Sequence, residues 1–326
     1  MRSLSGASLA AVAMLTLGSF TAGCGQVNVI KARKAFKTAN QSYQAQDYKK
    51  AAESYEEAIA ADPENKDIQS AYFFLGNSYD QQYKPSKKGE ADNDALMQKA
   101  VENYTRAAER LSASPKPEDK KLGKLSLDYL VAAYGADKLN DPAKAEPVVQ
   151  KMIQLDPGEP TNYFALAKIY EDAGAYEEAE KMLVAAKAAK PNDPDVYMQL
   201  AGFYNRQGEF AKTMDALNAR AAQEPNNPEA HYTIATYYWE KAYRDFTTPE
   251  ADKVKFVQQG LQAVDKAIQL NPNYFEALTY KNLLLRVQAN LEKNPARQQA
   301  LLKEANEWRD KAQEIRNKAK AAGAGE

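Results

Sequence analysis

TNYFALAKIYEDAGAYEEAEKMLVAAKAAKP, residues 161–191, lands like on like when it is moved 34 residues along the chain. Tyr163, Leu166, Ala167 and Tyr170 return as Tyr197, Leu200, Ala201 and Tyr204, and again as His231, Ile234, Ala235 and Tyr238. Gly174 returns as Gly208, Leu183 as Leu217, and Pro157, Pro191 and Pro225 keep the same spacing. Offsets of 3, 4 and 7 from Tyr163 set Leu166, Ala167 and Tyr170 on one stripe of a helix, and Gly174 supplies its left-handed end. A second helix restarts at Ala175-Tyr176. Its Ala179 and Ala186 carry little bulk, so two backbones can approach while Leu183 fills the space beside them. Pro191 cannot continue the hydrogen-bond ladder and ends it. Asp193-Pro194 and Asn227-Pro228 each pair an N-cap residue with a proline suited to the first helical position.

The spacing of an aromatic, Leu-Ala and Tyr170 in the first helix, of Ala179 and Leu183 in the second, and of the closing Pro191 resembles the tetratricopeptide repeat. The resemblance implies an all-α fold: a right-handed superhelical solenoid of about six to seven helical hairpins with a C-terminal capping helix. One hairpin cannot bury both of its apolar faces, so neighbours stack and their first helices form a concave face. The expected organisation is a signal peptide at 1–23, a short tether at 24–29, one solenoid domain at 30–292, a capping helix at 293–320 and a frayed tail at 321–326.

At 326 residues the chain has the length of about two globular domains, but a repeat array adds length without separate cores. Lys and Arg number 43 against 44 Asp and Glu; removing residues 1–23 takes away only Arg2 and leaves 42 against 44. That balance argues against a nucleic-acid partner. Hydrophobic residues make up 44% of the chain, yet nothing after residue 23 is long and apolar enough to span a bilayer. A single cysteine leaves no intrachain disulfide.

Residues 1–24 read as an export signal: Arg2 is a short basic start, 4–20 are apolar, and small residues precede Cys24. Thr21-Ala22-Gly23-Cys24 resembles a bacterial lipobox, although Thr21 stands where leucine is commonest. The resemblance implies cleavage before Cys24, acylation of that cysteine, and a membrane partner reached through the lipid. With Gly25 rather than Asp next, it implies the outer membrane in a Gram-negative source. An ordinary cleaved signal and an uncleaved anchor are the alternatives. Residues 24–29 hold the first hairpin within roughly 15–20 Å of the lipid even when fully extended.

Repeat one runs from about Ile30 to Pro63, with Ala39 and Tyr43 in its first helix and Ala51, Tyr55 and Ala58 in its second. Repeat two opens on Tyr72, Leu75, Gly76 and Tyr79, but Ala100 comes 21 residues after Tyr79 where the regular spacing is 9. Repeat six shows a similar gap, 22 residues from Tyr238 to Gly260. The inserted stretches, Asp80 to about Leu96 and Trp239 to about Val254, fall on one edge and are expected as binding loops or, alternatively and above all for the second, as prolonged helical hairpins. Repeat three is weakest in pattern, with Leu127, Leu130 and Tyr134, then Ala145, Val149 and Met152. The Pro-rich linker 112–121 before it is the expected joint. Thr213 and Arg220 replace small residues of repeat five, so that hairpin is expected to pack loosely. After Pro272 come a first helix from Phe275 to Gln288 and a long final helix from Gln298 to about Ala321.

Catalytic patterns are sparse. His231 stands in line with Tyr163 and Tyr197 and reads as a packed structural residue. With no second histidine, a Cys/His zinc site cannot be built, and no glycine-rich phosphate loop or paired-carboxylate site stands out. Neither an enzyme, a cofactor nor a metal is expected. The expectation is an interaction scaffold with a protein or peptide partner; a small-molecule or enzymatic site in the groove is the alternative. Counting one residue on from the landmark aromatics gives a candidate groove of Phe36, Phe73, Phe164, Met198 and Tyr232, joined by Asn40, Asn77, Lys168 and Trp239. In the resembled family this face can carry a lysine and asparagine clamp for a terminal carboxylate. Here Asn40 and Asn77 fit the asparagines, but Phe36 and Phe73 replace the lysines. An apolar-anchored segment with the asparagines bonding its backbone is expected instead, unless these aromatics pack into the core.

Overall fold

The structure is a computed structural model and describes residues 18–323. The expected signal segment before Gly18 and the last three residues of the tail lie outside the described residues. Among those described the fold is all-α, fourteen α-helices packed in consecutive pairs with no strand. The chain divides into two compact units, residues 1–157 and 158–326, and the division follows Pro157.

Unit 1 holds three hairpins: α1 (Gly18–Gln44) with α2 (Tyr48–Ala61), α3 (Ala71–Gln82) with α4 (Ala91–Ser112), and α5 (Pro117–Ala133) with α6 (Pro142–Leu155). Unit 2 holds four: α7 (Pro160–Asp172) with α8 (Tyr176–Ala189), α9 (Pro194–Arg206) with α10 (Phe210–Gln223), α11 (Pro228–Arg244) with α12 (Glu250–Leu270), and α13 (Phe275–Leu291) with α14 (Pro295–Gly323).

The punctuation expected from sequence forms these ends. Asp193 and Asn227 accept hydrogen bonds from the Asp195 and Glu229 amides, both at 3.0 Å, and Pro194 and Pro228 open the helices that follow. Gly174 and Gly208 turn the chain with φ of 76° and 75°. In the first and third hairpins Gln46 and Asn140 occupy the same left-handed turn, at 60° and 54°. Between helices, Ala179 and Ala186 are fully buried and Leu183 nearly so. Where glycine replaces alanine the approach is closer still. A Cβ on Gly76 would lie 2.9 Å from the Tyr104 ring and 3.1 Å from the Ala100 carbonyl, and one on Gly260 2.9 Å from Leu284.

Several expectations are corrected. The linker 112–121 is not a joint: α5 begins at Pro117 and packs on α4, and Gly123 sits so close to the Ser112 backbone that a Cβ would fall 2.8 Å from its nitrogen. Of the two readings of the stretch Trp239 to Val254, the helix bounds agree with the prolonged hairpin: α11 and α12 extend across it and leave only residues 245–249 between them. In the stretch from Asp80 to Leu96 the loop is residues 83–90, braced by a short 3-10 turn (Pro85–Lys87), and the rest is helix. Thr213 and Arg220 are buried, so their hairpin is not loosely packed; Arg220 reaches Glu224 at 2.9 Å and Glu229 at 3.3 Å. Residues 24–29, the expected tether, are part of α1. In α14, Ala305 and Ala312 are buried, with Leu301, Trp308 and Ile315 half-buried on the same seam.

Candidate functional site

The first helices of unit 1 share a continuous aromatic row. Phe36 on α1 meets Tyr55 of α2 at 5.9 Å between ring centroids, and Tyr55 stacks on Phe74 of α3 at 6.1 Å. Phe74 meets Phe73 at 5.2 Å, and Phe73 meets Tyr129 of α5 at 5.7 Å. Tyr129 in turn stacks on Tyr104 of α4 at 5.1 Å. Phe36, Phe74 and Tyr129 are half-buried and show part of their rings to solvent. Phe73 is 4% exposed, so this expected groove residue is a core residue, sealed by the rings of Phe74, Tyr104 and Tyr129.

A polar path runs beneath the row. The Tyr43 hydroxyl donates to Asn77 Oδ1 at 2.7 Å, Asn77 Nδ2 donates to the Tyr104 hydroxyl at 3.2 Å, and that hydroxyl donates to Asp80 Oδ2 at 3.3 Å. Lys138, from the turn before α6, closes the path on Asp80 Oδ1 at 2.6 Å, in a pair whose side chains are 18% and 7% exposed. Burial and the Asp80 carboxylate push the Tyr104 hydroxyl far above its ordinary pKa. Asn77 therefore spends both ends of its amide inside the fold and is not free to bond a partner's backbone, which corrects its expected role. Asn40 is half-buried; its Oδ1 accepts from the Tyr55 hydroxyl at 2.7 Å, and its Nδ2 has no hydrogen-bond partner among the described residues.

Unit 2 treats its expected groove residues differently. Phe164 is half-buried against the local core, and Lys168 is exposed and paired with Asp172. Met198 is half-buried, with its sulfur 3.0 Å from Arg220 Nη1. Tyr232 sits edge-on to Tyr274 and Tyr280, both at 5.3 Å, and burial followed by those two rings pushes its hydroxyl up to about 12. Trp239 is buried rather than displayed, held between Tyr243 and Tyr280 at 5.1 and 5.4 Å, which corrects its place in the groove. His231 is half-buried and binds the Pro225 carbonyl through Nε2 at 3.2 Å, just as the Tyr197 hydroxyl donates to the Pro191 carbonyl at 2.6 Å. It fastens its helix to the end of the preceding one.

Counting from the landmark aromatics missed Tyr43, Phe74, Tyr104 and Tyr129. Phe74 is two residues on from Tyr72, and one more residue of helix turns a side chain about 100° toward the open face. A separate apolar cavity of about 700 Å³ lies between α4, α5 and α6, lined by Ala108, Leu127, Leu130, Pro147, Val148 and Leu155, with Glu109 and Lys151 also on its wall. Among the described residues no group of three His, Cys, Asp or Glu could hold a metal ion, and no helix is long and apolar enough to cross a membrane.

Paired helices with small residues at their crossings and, in five of the seven pairs, a left-handed residue in the turn define the helical-hairpin repeat class. Within it, residues 138–201 match the family model of the tetratricopeptide repeat. No curated protein matches the chain. Among solved structures it is similar to MamA, at 20% identity over 64% of this chain and 99% of MamA, with a TM-score of 0.40. A tetratricopeptide repeat protein from Parabacteroides merdae is 14% identical over 84% of this chain and 98% of its own, with a TM-score of 0.45. YrrB, a TPR protein with an unusual peptide-binding site, is 15% identical over 76% of this chain and 90% of YrrB, with a TM-score of 0.34.

Proposed function

We infer that the protein is a membrane-tethered interaction scaffold of the bacterial cell envelope and takes a segment of a protein partner on the first-helix face of unit 1. The observation that carries this reading is the half-buried row Phe36, Phe74 and Tyr129, backed by buried rings. Rings already held by packing offer apolar area with little side-chain freedom left to lose on binding. Asn40 Nδ2 adds one donor for a backbone carbonyl. With Phe36 and Phe73 at the lysine places of the carboxylate clamp, apolar side chains and not a terminal carboxylate anchor the segment. The tether is Cys24, lipid-modified on its sulfur and freed as the new N-terminus by cleavage of residues 1–23, and the location is the periplasmic face of the outer membrane in a Gram-negative source. Binding, not catalysis, is favoured because the only histidine is spent on a backbone carbonyl.

Photo-crosslinking in cells tests the face. A benzoylphenylalanine at Phe36 or Tyr129 is expected to give one adduct of defined mass that Phe74→Ala removes, whereas the same probe at Glu57 on α2 or Glu102 on α4 gives none. Equal adducts from both sets would sink the reading. For the tether, intact mass should show a chain beginning at acylated Cys24, and Cys24→Ser should release it from membranes.

A second reading rests on the cavity of α4, α5 and α6. Its volume and apolar wall suit a small apolar ligand, and co-purification of such a molecule, lost on Leu130→Trp, would favour it.

A further inference from the structure

The N-terminal half of α1 carries a surface that neither hairpin packing nor the groove explains. Ala32, Ala35 and Ala39 are buried in the unit 1 core. On the other side of the helix Val27 and Ile30 are 63% and 66% exposed, and among the described large apolar residues only Phe246 is more so. Lys31, Arg33, Lys34 and Lys37 follow within seven residues, all exposed, and no Asp or Glu occurs from Gly25 to Gln46. Lys31 and Arg33 reach Glu57 and Asp67 across half-exposed ion pairs. Lys34 and Lys37 have no acidic partner among the described residues.

An apolar pair followed by lysines on one helical face is what an interfacial helix presents to a bilayer, with apolar side chains at the acyl boundary and cations among the phosphates. Position matters as much as composition. Because α1 is helical from Gly18 onward, Cys24 lies on the same rod, about 9 Å along the axis from Ile30 and about 20 Å from Lys37. A lipid at Cys24 brings this face to headgroup level with no linker between.

We propose that the exposed face of α1 from Val27 to Lys37 is a second membrane contact that lies on an anionic lipid surface. The proposal rests on the membrane tether at Cys24 for its proximity, but its chemistry is its own. A basic patch beside a lipid anchor adds an attraction to anionic headgroups that the acyl chains alone do not supply. Laying α1 flat also orients unit 1 on the membrane, since α1 is packed into its core.

The test uses the full chain as purified from membranes, with Ile30→Cys carrying an environment-sensitive fluorophore; an acylated Cys24 does not take the dye, and the unsubstituted protein is the labelling blank. Vesicles of phosphatidylcholine alone are compared with vesicles containing about one-third phosphatidylglycerol. Bilayer-embedded nitroxides are expected to quench the probe several-fold more in the anionic vesicles. Lys34→Glu with Lys37→Glu should return quenching to the phosphatidylcholine level. A probe at Glu177→Cys on α8 should remain unquenched in both. Retention on phosphatidylcholine vesicles without quenching at position 30 in the anionic ones overturns the α1 contact and leaves the tether standing. Quenching on anionic vesicles without retention on phosphatidylcholine keeps the contact and overturns the tether. Absence of both overturns both. A blue-shifted probe that the nitroxides do not reach means that protein covers the face, and the proposal fails.

Discussion

Both units are built from the same hairpin, yet the first helices of unit 1 and those of the regular repeats of unit 2 are joined in different ways, while α11 and α13 of unit 2 meet through rings as unit 1 does. In unit 1, neighbouring first helices meet through stacked rings and a buried path from Tyr43 through Asn77, Tyr104 and Asp80 to Lys138. In the regular repeats of unit 2, the corresponding link from α9 to α7 is an ion pair, Arg206 to Glu171 at 2.7 Å, with the arginine more than half exposed. One device does recur: Tyr79 bonds Glu56 with Lys99 over its ring, and Tyr204 bonds Glu180 at 2.8 Å with Lys212 over its ring. The repeat thus sets how helices cross, while the residues between the landmarks decide whether a face is a rigid core surface or a solvated one.

The largest expected difference is in alkali. A tyrosine held above its ordinary value of 10 binds its proton more tightly folded than unfolded. Its contribution is complete below about pH 10 and is lost as pH rises through the folded value. Burial, then Glu180, pushes Tyr204 up to about 12, whereas Tyr55, Tyr79 and Tyr104 in unit 1 are pushed higher, chiefly by burial. Tyrosinate absorbance should therefore rise in two stages, with Tyr55, Tyr79 and Tyr104 appearing only as helix content collapses. A single stage at the ordinary value, with helicity intact, would show that the aromatic row is open to water.

Next in size is truncation of the rings. Phe73→Ala removes a core side chain and is expected to cost about 3–5 kcal/mol, while Phe164→Ala, half-covered in unit 2, costs about 1–2 kcal/mol. Urea unfolding of the two variants measures both. Equal losses would mean that the two units use this position alike.

Breaking the buried pair sharpens the same contrast at smaller scale. Lys138→Met leaves Asp80 inside unit 1 with only the Tyr104 hydroxyl, an expected loss of about 3 kcal/mol. Lys168→Met in unit 2 removes an ion pair whose members are 67% and 59% exposed, and should change stability by less than about 0.5 kcal/mol. A neutral Lys138→Met would mean that water can replace the lysine.

Most of the fold was legible because helix ends and crossings are local. Pro194, Gly174, Ala179 and Pro191 act within a turn or two of themselves, and a period of 34 places them without any knowledge of neighbours. The site was legible only in part. That Asp80 pairs with Lys138 could not be read, because the two are 58 residues apart and no periodic signal couples them. Phe73 and Phe74 are adjacent aromatics, and which of them is sealed depends on Tyr104 and Tyr129, which belong to other helices. The inserted stretches left two readings open for a different reason. A surplus over the repeat length says nothing about whether helices grow or a loop does, and the amphipathic residues from Ala91 and from Glu250 onward let α4 and α12 grow.

The smallest expected effect lies in the turns, where the comparison is cleanest. Gly174 and Gly208 reverse the chain in unit 2 with positive φ, and Gln46 and Asn140 do so in unit 1. A side chain in that region costs roughly 1–2 kcal/mol of backbone strain, while glycine gives back part of the difference through the extra freedom of its unfolded chain. Nothing lies within 4 Å of a Cβ built on Gly174, so a substitution there tests the backbone alone. Gln46→Gly is therefore expected to stabilise unit 1 by about 0.5–1 kcal/mol and Gly174→Gln to destabilise unit 2 by a similar amount. Asn140→Gly should gain less, since asparagine tolerates the left-handed region. Urea midpoints of the three variants decide it. If Gln46→Gly were neutral while Gly174→Gln was costly, the first turn would be held by something other than its own backbone, and the Asp47 cap, which accepts from the Lys50 amide at 3.2 Å, would be the residue to remove next.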